Sequence, residues 1–335
     1  MSRILIRLAS AVPTLFGVVI VTFLLTRVLP GDPAVFFASN PSMTAEDVDA
    51  VRVSLGLDQP LLVQFRIYLV DLLHGNLGNS LSTGQTVAAE LARRLPASAE
   101  LTLVAFVLAI AVSLPLGAVA ALRPRSLVDH LSRVIATLGV SMPTFVTGLL
   151  LIFLFYFLIG WAPEPIGRLD PFMFEPERVT GFYTIDALLE GDPAAARAAL
   201  AQMMLPAITT ALFALAPLTR MTRAAMLEVL GSEFIRTARA SGLGRRKIVV
   251  TYAFRNAMVP VVTTMGMTFS YMLGANVLVE QVFSWPGVGA FAIDSIINLD
   301  YAPLQGFMLM MAAIFILVNL TVDVVIALLD PRAAL

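Results

Sequence analysis

Six stretches of the chain are apolar over about the 20 residues needed to cross a hydrocarbon core of roughly 30 Å: residues 9–29, 101–122, 134–159, 200–218, 258–279 and 307–329. Polar segments of unequal length separate them. The longest, 30–99, has turn signals at Pro30-Gly31-Asp32-Pro33, Asn40-Pro41 and Gly75-Asn76-Leu77-Gly78 around helix-like stretches at 44–55 and 60–73, and is too polar to span. A second insertion, 161–199, is rich in proline and charge and runs into an alanine-rich helical stretch. The first apolar run follows Arg3 and Arg7 as a signal peptide would, but it continues into Thr26-Arg27-Val28-Leu29-Pro30 rather than a small-residue cleavage site, so it reads as a retained span. Pro115, Pro143, Pro206, Pro217 and Pro260 fall inside the apolar runs, where kinks are expected and neighbouring helices can re-satisfy freed carbonyls.

Composition supports a bilayer protein. Hydrophobic residues make up 58% and charged residues 13% of the chain, against roughly 45–50% and 25% in soluble domains. Six spans put both termini on one side. With the N-terminus inside, Lys and Arg divide 14 inside to 8 outside, and acidic residues 5 to 18; the basic excess fixes the termini as cytoplasmic. The layout is a first segment 1–29, an outer segment 30–99 and a core 100–335 that includes the insertion 161–199 and an inner loop 226–256.

Much chemistry is excluded. There is no cysteine, and the two histidines, His74 and His130, lie in no metal-ligand spacing. No Walker A loop is present, so ATP hydrolysis would fall to another chain. Gly139-Val140-Ser141-Met142-Pro143 lacks the second glycine of a nucleophile elbow, and Ser141 reads as structural. No enzyme activity and no nucleic-acid partner is expected.

The inner loop carries the most information. Ser232 can N-cap a short helix that opens on Glu233, and Gly242 supplies the left-handed residue that ends it. Phe234, Ile235 and Ala238 are expected on one face of that helix, and Arg236 and Arg239 on another. So short a helix is marginal alone, so something must receive its apolar face. The following Arg245-Arg246-Lys247 suits anionic lipid at a cytoplasmic span end, and otherwise direct contact with the partner chain that receives the loop.

Arg236-Thr237-Ala238-Arg239-Ala240-Ser241-Gly242 resembles the EAA loop of permease subunits of ATP-binding-cassette (ABC) importers, in its basic form from the dipeptide, oligopeptide and nickel branch. Arg236 and Thr237 replace the first letters of Glu-Ala-Ala, and Tyr252-Ala253-Phe254-Arg255 replaces the usual loop ending, with Pro260 further on. Leu29-Pro30-Gly31-Asp32-Pro33, Leu55-Gly56-Leu57-Asp58-Gln59-Pro60, Phe283-Ser284-Trp285-Pro286-Gly287-Val288-Gly289, Asn319-Leu320-Thr321-Val322-Asp323 and Leu329-Asp330-Pro331-Arg332 resemble the same branch. The resemblance implies an all-α membrane protein of the type I importer permease fold, with six transmembrane helices and an EAA-type coupling helix. Its docking residues would be Glu233, Phe234, Ile235, Arg236, Thr237, Ala238, Arg239, Ser241 and Gly242.

Polar residues inside apolar runs are functional suspects, since a charge at the bilayer centre costs about 2.5–3.5 kcal/mol. Asn319 and Asp323, at i and i+4, suit structural hydrogen bonding or a pairing with loop arginines, and otherwise the pathway. Asn276 and Glu280 have the same spacing; Glu280 suits interfacial solvation or a binding-protein contact. Trp285-Pro286-Gly287 predicts a tight turn with Gly287 at positive φ, Trp285 being an interface anchor or part of a cap on the pathway. With no relay of embedded carboxylates, an external energy source is expected.

The family further implies half of a translocation pathway in a bacterial inner membrane, with a homologous second permease, two ABC ATPases carrying ATP and Mg, a periplasmic solute-binding protein and membrane lipid as partners, and no cofactor on this chain. Di- or oligopeptides are the expected solute. Nickel chelates, opines and sugars are the alternatives within this architecture, and an ATP-independent carrier or channel is the rival outside it.

Overall fold

A computed structural model describes residues 2–28, 45–54 and 56–329. The motif residues 29–33, Asn40-Pro41, Leu55 and 330–332 lie outside the described residues. The chain is helical: α1 Ser2–Val28, α2 Ala45–Ser54, α3 Leu61–Leu73, α4 Val87–Leu122, α5 Leu127–Ser141, α6 Thr144–Leu158, α7 Tyr183–Glu190, α8 Pro193–Leu230, α9 Glu233–Ala240, α10 Arg245–Val282, α11 Val288–Ile297 and α12 Tyr301–Leu329. Ile152–Leu158 of α6 and Ile248–Phe254 of α10 are π-helical. Among the described residues there is no strand, only one isolated bridge between Asn79 and Thr86.

Among the described residues four helices, α4, α8, α10 and α12, are long and apolar enough to cross a membrane, and Val12–Arg27 and Thr144–Leu158 are shorter apolar helices. The structure corrects the expected span 134–159. It is two helices, because the ring of Pro143 drives Met142 out of the helical region to φ −109°, ψ 135°. Pro193–Leu230 instead runs far beyond the expected 200–218, since Asp192 caps it, accepting from Ala194 N–H and Ala195 N–H at 2.9 Å each, and Pro193 takes the first turn where its missing N–H costs nothing.

Two compact units divide the chain. One comprises 1–97 and 286–316, the other 98–285 and 317–335. In the first unit, Phe23 of α1 meets Phe65 and Tyr68 of α3 at ring distances of 5.1 and 5.8 Å. Val87 and Leu91 pack on Val288 and Phe291 of α11. A side chain at Gly306 would strike Val87 at 2.5 Å, so only glycine lets α12 approach there.

In the second unit, α8 is the central element, packed by α5, α6, α7 and α10. Small residues make this possible: a Cβ at Gly117 would lie 2.7 Å from Thr222, and one at Gly139 2.7 Å from the Leu212 carbonyl. The insertion folds onto the start of the core through Glu100, which is buried. Its carboxylate accepts from Arg168 Nη2 at 2.6 Å, Tyr183 N–H at 3.2 Å, Thr184 N–H at 3.0 Å and the Thr184 hydroxyl. Asp186 closes the neighbouring turn, accepting from Thr180 and Gly181 N–H at 2.7 Å each.

Candidate docking helix and buried polar core

The helix α9 starts where α8 stops. Ser232 has extended backbone, φ −72° and ψ 156°, as an N-cap requires, but its hydroxyl makes no cap bond and donates back to Val229 O at 2.6 Å. This corrects the expected side-chain cap: the hydroxyl joins Ser232 N–H on the Val229 carbonyl at the end of α8 instead of meeting an orphan N–H of α9. The other end is as expected. Gly242 is left-handed at φ 75°, its N–H donates to Arg239 O at 3.0 Å, and Leu243 N–H donates to Ala238 O at 3.2 Å. That pair of bonds is a Schellman ending.

The apolar face expected on α9 is split. Ile235 is fully buried and Ala238 nearly so, in a cluster with Met226 of α8 and Ile248, Ala253 and Ala257 of α10. Their receiver is this chain's own core, and α9 is thereby held between the two long helices that flank it. Phe234, one residue round the helix, remains 45% exposed. Glu233, Arg236, Thr237, Arg239 and Ser241 are exposed with it. Arg236 pairs with Glu233 at 2.7 Å, an exposed pair of little energetic weight. The outward surface is therefore one aromatic ring among two arginines, one glutamate and hydroxyls.

Elsewhere in the same unit, Asp129 of α5 gathers a clamp. Its carboxylate takes both prongs of Arg223 of α8, at 2.6 and 3.0 Å, then Arg125 N–H at 2.9 Å and Arg133 at 3.4 Å. The side chain is sealed by these partners, not by depth in an apolar core, and the Arg223 hydrogen bonds, with the backbone bond from Arg125, hold its pKa down at about 2.

Further along, Asn276 and Glu280 of α10 are both buried. Asn276 donates to Thr102 Oγ1 and accepts from Thr210 Oγ1 at 2.8 Å, while Glu280 accepts from the Ser98 hydroxyl, so these two residues tie α10 to α4 and α8. Interfacial solvation of Glu280 does not hold. Trp285 is 1% exposed, with Arg168 6.0 Å from its ring, so it is a core residue and no interface anchor. The positive φ in its turn belongs to Ser284, at 51°, and Gly287 is extended. Asn319 and Asp323 are half-buried on α12, and each has a partner.

Two family descriptions match the chain: "Binding-protein-dependent transport system inner membrane component" over residues 113–335, and the N-terminal part of such membrane components over 1–102. The chain belongs to this family of inner-membrane transport components. It is 44% identical to the probable D,D-dipeptide transport system permease protein DdpB of Escherichia coli K12, over 94% of this chain and 92% of that protein. The di/tripeptide transport system permease protein DppB of Pseudomonas aeruginosa is 42% identical, covering 97% and 96%, and the dipeptide permease protein DppB of Escherichia coli K12 is 39% identical, covering 98% and 97%. The resemblance to importer permeases is thus upheld: this is a transport subunit and no enzyme.

The Asp129 clamp of this transport component was not anticipated from sequence. Its signal was Ser126-Leu127-Val128-Asp129, a capping-box spacing, and Ser126 Oγ does accept from Asp129 N–H at 3.4 Å. A carboxyl whose pKa falls from 3.8 to about 2 on folding stabilises the fold above pH ~4 and loses that contribution as pH drops toward 2. Asp129→Asn is expected to lower the melting midpoint by a constant amount from pH 8 to 5 and to flatten the decline below pH 4. Arg133→Gln should lower it less than Arg223→Gln, because only Arg223 is bidentate. Melting of the purified protein across pH checks both.

Proposed function

We propose that the chain is one of two permease subunits of an ATP-driven importer of di- and oligopeptides, α9 being the element that docks on an ATPase. The carrying observation is the split face of α9: a short helix fixed by Ile235 and Ala238 to the ends of two long helices still presents Phe234 outward. A rigid lever with an unsatisfied aromatic ring suits transmission of a partner's closure to the membrane helices. Peptide as solute is supported by the names of relatives that align over nearly their whole length.

In this reading the spans are the four long apolar helices with α1 and α6, and both termini are cytoplasmic. The apolar stretch Thr144–Leu158 extends only roughly 22 Å at 1.5 Å per residue, short of the core thickness, which local thinning accommodates. Exposed apolar side chains such as Val107, Phe157 and Leu317 face lipid or the second permease. Segment 30–99 and insertion 161–199 meet a periplasmic binding protein, and ATP and Mg belong to the ATPases.

Two measurements test this. Single cysteines at Gln85 and Phe172, both exposed, should react with an impermeant thiol reagent outside intact cells, and ones at Ser241 and Arg246 should not; labelling of position 241 from outside refutes the topology. In proteoliposomes holding the chain with its partners, labelled dipeptide uptake should require ATP and the binding protein. Uptake driven by an ion gradient without ATP refutes the importer reading.

A further inference from the structure

The first unit contains a half-open cavity of about 590 Å³, within the range of roughly 300–1,000 Å³ typical of small-molecule sites. Arg27, Gln64, Tyr68 and Asp300 line it, with Asp58 and Asp71. Three of these groups are incompletely satisfied. Asp300 is 1% exposed; its Oδ2 accepts from the Ser80 hydroxyl at 2.7 Å and Ser82 N–H at 3.0 Å, but its Oδ1 is buried with no hydrogen-bond partner among the described residues. The Tyr68 hydroxyl is likewise buried with no hydrogen-bond partner among the described residues. Arg27, half-buried over the Phe23 ring, gives its Nε to Gln64 Oε1 at 2.7 Å and pairs with no carboxylate among the described residues.

A buried charged acceptor left unmatched costs more than an exposed one, and so do buried donors. Here both lie on one cavity wall system without meeting each other. Burial pushes the Tyr68 phenol up to about 12, so it stays a donor at neutral pH. A guanidinium with a phenol beside it in the same cavity matches a carboxylate, which arginine binds through paired N–H groups, and the free oxygen of Asp300 matches an ammonium. Asp58 and Asp71 also line the cavity and favour a ligand that carries a cation.

We propose that this cavity is a binding site for a short zwitterionic peptide, its ammonium on Asp300 and its carboxylate on Arg27 and Tyr68. The choice of peptide over another zwitterion rests on the peptide-import reading. The site lies on the permease itself, so it binds without the solute-binding protein.

The test is calorimetric titration of the full chain in lipid nanodiscs, with no binding protein present, using alanyl-alanine, its N-acetyl form and its C-terminal amide. Alanyl-alanine should bind saturably, and each blocked form about tenfold or more weakly, the equivalent of one lost charge-assisted contact at about 1.4 kcal/mol per tenfold. Tyr68→Phe keeps the ring and its packing; it should weaken alanyl-alanine several-fold and leave the amide unchanged. Arg27→Gln should erase the difference between peptide and amide, and Asp300→Asn the difference between peptide and N-acetyl peptide. No saturable binding, equal affinity for all three ligands, or a Tyr68→Phe chain that loses the amide as much as the peptide would overturn the proposal. Binding needs no ATP or transport, so it can stand where peptide import fails, and import can stand where it fails.

Discussion

Phe234→Asp is expected to abolish uptake while the protein accumulates in the membrane with an unchanged melting midpoint. Phe234 is 45% exposed and outside every long apolar helix, so the isolated chain loses little. What is lost is burial against a partner. One aromatic side chain is worth about 1.5–3 kcal/mol, or at least tenfold in affinity, and an unpaired carboxylate in an apolar cleft adds to that. Ile235→Ala, one position away, should behave in the opposite manner, lowering the chain's own stability by about 2–5 kcal/mol because Ile235 fills the core under α9. Gly242 separates strain from sterics: nothing lies within 4 Å of a Cβ built there, yet its φ is 75°. Gly242→Asn should therefore be tolerated and Gly242→Val should not. Co-purification of the ATPase with each variant, alongside its melting curve, distinguishes these cases.

The second large effect is expected at Arg168. Arg168 and Glu100 are 8% and 2% exposed and 2.6 Å apart, and Arg168 also donates to Gly181 O at 2.8 Å and stacks 3.5 Å from the Tyr183 ring. Arg168→Met leaves the Glu100 charge buried without its cation, at a cost of about 3–5 kcal/mol. The insertion should then open to protease between Phe172 and Val179, both already exposed. Adding Glu100→Gln should restore much of the loss, since breaking a buried pair costs more than replacing it. If Arg168→Met stays as protease-resistant as the native protein, the pair does not hold the insertion.

Much of this was legible in sequence because it depends on local rules. Hydrophobic runs of membrane length, the glycine that ends α9 and the helices near 44–55 and 60–73 follow from spacing and turn chemistry. The break at Met142-Pro143 was readable in principle, but a continuous apolar run outweighed one proline. The rest depends on tertiary partners. Ile235 and Phe234 are chemically alike, and only the position of Ile248 and Ala253 beneath the helix decides which is core. Glu280 and Trp285 read as interfacial by residue type, whereas packing buries both. The clamp joins Asp129 to Arg223, 94 residues on, and no periodicity reports such a pair.

The central claim is that α9 meets an ATPase through Phe234. A photo-crosslinking amino acid placed in turn at positions 234, 235 and 172 of the assembled importer tests it most directly. The account predicts an adduct with the ATPase subunit from position 234, none from the buried position 235 and none from the outer position 172. Absence of the ATPase adduct at 234, in a complex that still transports, would contradict it.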